Sequence, residues 1–354
     1  MEKTKDIEKI ISVSVKVPID KNMEPKNIDI AIEGLKSHGF EVEKENGYLE
    51  ISKNGVTPHE GYYGGGGLKI SGPVNYSLLE WIINLKAISE KLGVPILSNL
   101  EELESYLKSR SKTPIIIIIP DTSLNEKIPK EVEEISRQIL IKNSDKRLTL
   151  GLEFPCDEGF EGLINNPEQN LTSPSIRPLF SDEISGETIK GLVEAFNRLR
   201  SEYGDRVRIK PTGATQEERR RFAWQAIIDS FADAYLMTEG IPHKRHPNLS
   251  YDYNKRVLSN ILDLLKTGDN KVIWVGILNA TDLLYTEGDL IKNKNTVVFL
   301  PPKTLEFIVR KDYIEQIPYI KQLKHDIEQI IENIQENIND KDSDDIDDFK
   351  DLLR

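Results

Sequence analysis

The stretch PIIIIIPDTS, residues 114–123, decides the fold. Its five consecutive isoleucines lack the alternation of apolar and polar residues that marks a strand with one face in water. They therefore predict a strand that is buried on both faces, near the middle of a sheet. The two prolines stand at the ends of the run, where a missing N–H group disturbs the hydrogen-bond ladder least.

The segments that follow this strand alternate between helical and extended patterns. Such an order predicts an α/β domain in which a mostly parallel sheet has flanking helices and right-handed crossovers. We assign this domain to residues 99–310. Its helical patterns begin at Asn99, Ile128, Glu187, Thr215 and Tyr251. Its other extended patterns are RLTLGLEF from Arg147, RVRIK from Arg206 and KVIWVGIL from Lys271.

Residues 1–98 predict an α+β module that precedes the α/β domain. A strand, an amphipathic helix and a hairpin turning at Asn46 and Gly47 come first, and a second helix ends at Gly93. Within the α/β domain, residues 155–182 form a long loop pattern rich in Pro, Asn, Gly and Ser. Loops of this length are either functional lids or insertions, and the sequence leaves both interpretations open.

The C-terminal part of the chain predicts a long helix over residues 311–339 and an acidic tail over residues 340–354. Apolar residues recur three and four positions apart from Leu323 to Ile338, so one helix face is apolar. That face docks on the chain's own core or mediates self-association with another copy. The tail is either solvated or a short segment that binds a protein partner.

Composition and charge narrow the classes of function. The net charge of -12 disfavours general binding to nucleic acid, although the region from Arg198 to Arg256 carries 12 basic against 8 acidic residues. The single cysteine, Cys156, cannot form an internal disulfide. No apolar run approaches the roughly 20 residues that cross a bilayer. These features predict a cytoplasmic protein without a membrane anchor.

Acidic residues follow three of the predicted strands. Asp121 comes after the isoleucine run, Glu153 lies near the end of RLTLGLEF, and Asp282 comes after KVIWVGILNAT. Ligands of open α/β sheets bind beyond the carboxyl ends of the strands, so these side chains are candidate catalytic residues and candidate ligands of Mg²⁺ or Mn²⁺. The alternative is structural, because Asp commonly caps turns and helix starts.

A basic segment is the candidate binding site for an anion such as a phosphate-bearing ligand. Alternate basic residues share one face of the RVRIK strand, a glycine follows in the loop before a helix, and a positively charged loop lies further on. An ordinary helix cap and an exposed loop are the alternatives. The candidate anion-binding residues are Arg206, Arg208, Lys210, Gly213, His243, Lys244, Arg245 and His246.

Two functional hypotheses follow from these patterns. The first is a non-catalytic interaction or regulatory protein of the cytosol, with a basic anion-binding segment and a C-terminal helix and acidic tail that bind a partner. The second is a divalent-metal-dependent enzyme that hydrolyses phosphoester bonds in a nucleotide or nucleic acid. The enzyme hypothesis requires Asp121, Glu153 and Asp282 to converge, with Lys210 facing them.

Overall fold

A computed structural model of the chain describes residues 11–59, 70–71, 73–109, 114–121, 128–159, 161, 165, 183–215, 217–218, 247–292 and 294–310. The predicted C-terminal helix and tail, most of the 155–182 loop and the segment from His243 to His246 lie outside the described residues. The chain divides into two compact units, Met1–Gln216 with Asn254–Tyr313, and Glu217–Tyr253 with Ile314–Arg354. The fold and sites below belong to the first unit, except that residues 247–253 of the helix Pro247–Leu265 fall in the second.

The N-terminal part of this unit contains a small antiparallel sheet of strand order β1-β3-β2 and a short β4-β5 pair. The hairpin predicted at Asn46 and Gly47 is confirmed, and Gly47 adopts the positive φ of 85° that its tight turn requires. Gly93 ends the second helix in a left-handed conformation, also as predicted. The elements are β1 Ile11–Pro18, α1 Pro25–Ser37, β2 Glu41–Glu45, β3 Tyr48–Val56, β4 Ile70–Ser71, β5 Val74–Asn75 and α2 Tyr76–Leu92.

The remainder of the unit is an α/β domain built on a six-stranded sheet. Every neighbouring pair of strands in this sheet is parallel, so the α/β class predicted from the sequence is confirmed. Its strands are β6 Ile96–Leu97, β7 Ile115–Asp121, β8 Leu148–Leu152, β9 Val207–Pro211, β10 Asn270–Gly276 and β11 Asn295–Phe299. Its helices are α3 Leu100–Ser109, α4 Ile128–Lys142, α5 Glu183–Tyr203, α6 Pro247–Leu265, α7 Ile277–Thr286, α8 Gly288–Lys292 and α9 Pro302–Leu305.

The isoleucine strand β7 lies inside the sheet, whose order is β6-β11-β7-β10-β8-β9. All seven residues of β7 are buried, as the uninterrupted apolar run predicted. Ile115, Ile117 and Ile119 belong to one apolar cluster with side chains of α3, α4 and α5. The alternate isoleucines therefore face the opposite side of the sheet.

The helices that connect the strands cover first one face of the sheet and then the other. The chain advances from β6 to β9 through α3, α4 and α5 on one face. It then returns through β10 to β11, and α6 lies on the other face, where a Cβ on Gly151 would come within 2.5 Å of Leu264 Cδ2. This two-way winding is typical of doubly wound sheets. None of the described helices is long and apolar enough to cross a membrane.

Two elements of the domain differ from the sequence-based prediction. The run KVIWVGIL was interpreted as strand throughout, whereas β10 ends at Gly276 and Ile277 begins α7. The strand β11 was not predicted at all. Both errors have one cause, since a short buried strand and the start of a buried helix show the same unbroken apolar pattern. The domain boundary at residue 98 stays a prediction; β6, just before it, pairs with β11 of the large sheet.

A lysine is buried at the amino end of β10. Lys271 is only 1% exposed, and its Nζ donates hydrogen bonds to the carbonyl oxygens of Thr267, at 2.8 Å, and Asp269, at 2.7 Å. Burial lowers the pKa of Lys271 from 10.5 to about 8, with a further lowering by Lys294, while the carboxylate of Asp269 opposes the shift. The protein therefore holds an ammonium group where water is scarce.

We predict that Lys271 makes the stability of the protein depend on pH above neutrality. Between pH 8 and 10.5 the unfolded chain holds this proton more tightly than the folded chain, so the free energy of unfolding rises with pH in that window. Relative to a Lys271→Met variant, the gain is on the order of 3 kcal/mol. Urea denaturation of both proteins from pH 7 to 10.5 measures this difference in the free energy of unfolding. A difference that stays constant across that range would contradict the prediction.

Candidate functional site

The carboxyl ends of β7, β10 and β8 form the edge where the sequence places its acidic residues. Asp121 at the end of β7 pairs in register with Gly276 at the end of β10. Gly276 is also the N-cap of α7. The next strand, β8, ends at Leu152, so Glu153 follows it directly. The backbone thus brings the predicted residues Asp121 and Glu153 to opposite sides of one glycine.

Asp121 is buried, at 2% exposure, and is held by a tryptophan of the neighbouring strand. Its Oδ2 accepts a hydrogen bond of 3.0 Å from Trp274 Nε1. Trp274 belongs to the same apolar cluster as the side chains of α3, α4 and α5. The carboxylate therefore points toward the face that those helices cover, and it fixes the ends of β7 and β10 against each other.

Glu153, which follows strand β8, caps the start of helix α7. Its Oε2 accepts a hydrogen bond of 2.8 Å from the backbone N–H of Gly276, at the start of α7. The first N–H groups of a helix have no partner within the helix, and the positive end of the helix dipole favours a negative group there. Glu153 thus occupies the position that a bound anion would otherwise take, and it tethers β8 to α7.

Asn279 is a candidate site residue that the sequence-based reasoning missed. It lies in the first turn of α7 and is 5% exposed. A Cβ on Gly276 would be 3.6 Å from Glu153 Oε2 and 3.8 Å from Asn279 Nδ2, so the amide and the carboxylate flank the same glycine. Within the described part of the chain, Asn279 Oδ1 is buried and has no hydrogen-bond partner. The available signal was a polar residue three positions after the glycine in WVGILNA.

Asp282 does not lie at a strand exit, contrary to the prediction. It is in the second turn of α7 and 5% exposed, about 9 Å along the helix axis from Gly276 at 1.5 Å per residue. The prediction was wrong because the first turn of α7 was interpreted as strand. Among the described residues no group of three or more His, Cys, Asp or Glu could hold a metal ion. The structure therefore adds no support for a metal site formed by Asp121, Glu153 and Asp282.

Two basic residues of the predicted anion-binding segment, Arg206 and Lys210, have partners within the protein. Arg206 Nη2 donates hydrogen bonds to the carbonyl oxygens of Leu140, at 3.0 Å, and Asn143, at 3.1 Å, near the end of α4. Lys210 forms an ion pair of 2.5 Å with Glu161. Arg208 is exposed on the edge strand β9. The structure thus gives Arg206 a role in holding the chain together, whereas the exposed pair of Lys210 with Glu161 contributes little to stability.

Gly213 serves the packing of two backbone segments beyond the strands. Its N–H donates a hydrogen bond of 2.9 Å to the Phe154 carbonyl, and its own carbonyl accepts one of 2.8 Å from Asn260 Nδ2. A Cβ at this position would lie 2.5 Å from the Phe154 carbonyl oxygen. Only glycine fits this close approach between the extensions of β8 and β9.

Comparison of the chain with protein-family models, with curated protein sequences and with solved structures found no match. The function is therefore inferred from the residues and geometry of the site.

We predict that Gly213→Ala destabilises the protein by about 1–3 kcal/mol, because the added methyl group meets a backbone oxygen that cannot move freely. Gly268→Ala is the matched control, since a Cβ there would have nothing within 4 Å. Midpoints of urea denaturation compare the two variants. Equal midpoints would show that the loop after β9 relaxes around the methyl group.

Proposed function

We propose that the α/β domain is the non-catalytic ligand-binding part of a regulatory protein, and that its ligand lies at the carboxyl edge over β7, β10 and β8. The observation that carries this proposal is the buried Asn279 Oδ1, which has no hydrogen-bond partner within the described residues. The Nδ2 of the same amide and Glu153 Oε2 both lie close to Gly276. An unpartnered buried acceptor costs about 1–3 kcal/mol, so its presence in a close-packed region calls for a reason. A ligand that donates to it supplies one.

The order of the strands also supports a ligand site at the carboxyl edge. The strands β7 and β8 lead to helices on one face of the sheet, while β10, which lies between them, leads to α7 on its return path toward β11. Where neighbouring strands lead to opposite faces, the connections separate and leave a crevice above the sheet. Asp121, Glu153 and Asn279 all follow the strands that border this point.

The groups at this edge favour a ligand rich in hydrogen-bond donors. Glu153 contributes a carboxylate, which only accepts hydrogen bonds when ionised, and Asn279 adds an amide oxygen. The buried carboxylate of Asp121 adds a second negative group behind them. A hydroxyl-bearing or amine-bearing small molecule matches this set. An anion does not, because two carboxylates stand at this edge and Glu153 already occupies the start of α7.

The bonds of the two carboxylates favour a structural role for them over a catalytic one. Asp121 holds Trp274 of the adjacent strand, and Glu153 holds the backbone of Gly276. Both bonds join separate elements of the scaffold. The protein partner proposed for the C-terminal helix and acidic tail would engage residues 311–354, outside the described part of the chain.

A divalent-metal-dependent phosphoester hydrolase is the second candidate. One observation favours it: the Glu153 carboxylate and the Asn279 amide flank Gly276 together. Mg²⁺ is commonly held by one or two carboxylates together with waters and substrate phosphates. In this proposal Glu153 and Asn279 would hold Mg²⁺ or Mn²⁺, and Asp121 on the adjacent strand would be the remaining carboxylate of the edge.

We predict that Asn279→Leu removes ligand binding without lowering stability, because leucine is similar in size and removes the unpartnered acceptor. Thermal midpoints measured with ribose, glucose, putrescine and arginine provide the readout, since a probe at 100 times its Kd stabilises the folded state by about 2.7 kcal/mol. Loss of the shift in the variant is the expected result. A shift that persists in Asn279→Leu would reject the site.

Ser89→Ala is the matched control for this experiment. Ser89 also carries a buried side-chain oxygen without a partner in the described structure, but it lies in the last turn of α2. Its variant should keep the probe-induced shift. Stabilisation by Mg²⁺ or Mn²⁺ that Glu153→Gln and Asn279→Leu both remove would favour the hydrolase instead.

A further inference from the structure

A cavity of about 650 Å³ lies at the amino edge of the large sheet, opposite the carboxyl edge. It opens between the starts of β7, β10 and β11 and the segment that leads into β6. Cavities that bind small molecules range from roughly 300 to 1,000 Å³. Its size therefore suits an organic ligand larger than a simple ion.

Positive charge is concentrated in this cavity although the whole chain has a net charge of -12. Lys271, Lys292 and Lys294 line it, and its described lining contains no aspartate, glutamate or arginine. Lys292 stands at the rim, exposed and paired with Asp289 at 2.6 Å. Of the other two lysines, Lys294 is partly exposed, whereas Lys271 is only 1% exposed and its charge lies behind the cavity wall.

Backbone carbonyls hold Lys271 and Lys294 in place. Lys271 Nζ uses two of its three N–H groups for the carbonyls of Thr267 and Asp269. Lys294 Nζ donates to the Leu265 carbonyl, at 3.0 Å. The hydrogen-bond partners of both ammonium groups are neutral carbonyls, and the Asp269 carboxylate acts on Lys271 as a nearby negative charge.

Asn295 adds a neutral donor to the same wall. Its Oδ1 accepts a hydrogen bond of 2.8 Å from Tyr106 OH, and both residues line the cavity. Its Nδ2 is buried and has no hydrogen-bond partner among the residues that the structure describes. With the amide oxygen facing Tyr106 OH, the unpartnered group is the buried Nδ2 donor. The wall of the cavity thus includes one donor that no acceptor among the described residues satisfies.

We propose that this cavity binds a phosphate-bearing organic anion. Lysine is a compact positive charge with three rotatable donors, and it commonly binds phosphate groups. The apolar side chains of Val94, Pro95 and Ile116, with the ring of Tyr106, provide a wall for the organic part. The site is separate from the acceptor-rich carboxyl edge and does not depend on the function proposed there.

The titration of Lys271 supports this assignment. Its pKa is lowered to about 8 by burial and by Lys294, against the opposing charge of Asp269. The charged and titratable groups that line the cavity around it are Lys292, Lys294 and Tyr106. A bound dianion would favour the protonated form of Lys271 and would relieve its repulsion with Lys294. Binding is therefore expected to take up protons near pH 8.

Calorimetric titration of the full chain with inorganic phosphate, adenosine monophosphate and citrate, at constant ionic strength and pH 7, tests the proposal. We expect adenosine monophosphate to bind more tightly than inorganic phosphate, because it also fills the apolar wall, and both more tightly than citrate. Lys294→Met should weaken binding of adenosine monophosphate at least tenfold. Lys266→Met, which removes an exposed lysine paired with Asp263, should leave it unchanged.

Three results would overturn the proposal: absence of binding by both phosphate compounds at millimolar concentration, tighter binding of citrate, or equal weakening in Lys294→Met and Lys266→Met. Circular dichroism and thermal midpoints establish that each variant is folded. Asn279→Leu should bind adenosine monophosphate as the parent protein does, because its residue lies at the other edge. Loss of binding in that variant would place the anion elsewhere and would equally reject the cavity.

The pH dependence of the affinity for adenosine monophosphate provides a second readout. The second ionisation of a phosphate monoester lies near pH 6, so its charge is constant above neutrality. From pH 7 to 9 the affinity should fall as Lys271 loses its proton, and this fall should be absent in Lys271→Met. A flat profile in the parent protein would show that the anion binds away from Lys271 and would overturn the proposal.

Discussion

The parallel pairing of β7 with both β10 and β11 is the constraint on which the rest of the structure depends. Burial of every residue of β7 requires helices on both faces and a strand on each side. Because all the strands run the same way, their carboxyl ends share one edge and their amino ends the other. The chemistry of the domain is thereby divided between two edges.

The two edges carry complementary hydrogen-bonding groups. Acceptors dominate the carboxyl edge, where Asp121 and Glu153 tie neighbouring elements together around Gly276. Donors dominate the amino edge, where Lys271 and Lys294 are oriented by backbone carbonyls. A single strand, β10, contributes to both, with Lys271 near its start and Gly276 at its end. The proposed ligands therefore differ in charge and approach from opposite sides.

The sequence predicts the large features of this fold because they depend on local patterns. The isoleucine run identified a fully buried strand, and Asn46 with Gly47 identified a hairpin. The sites depended on the boundary within IWVGILNA, which no periodicity marks because both sides of it are apolar. Asp282 was consequently misplaced and Asn279 overlooked. Lys271 was overlooked for another reason: a lysine beside an apolar strand is normally solvent-exposed, and only tertiary packing buries it.

The strand order also has a consequence for how the protein is made. The strands β6, β7 and β8 are synthesised first but are not neighbours of one another, since β11 and β10 lie between them. The first backbone N–H of β7 is bonded to the side chain of Asn270, 155 residues later in the chain. A ribosome must therefore deliver most of the domain before its most apolar strand finds a partner. During that interval the isoleucine run is the segment that most needs protection from other nascent chains.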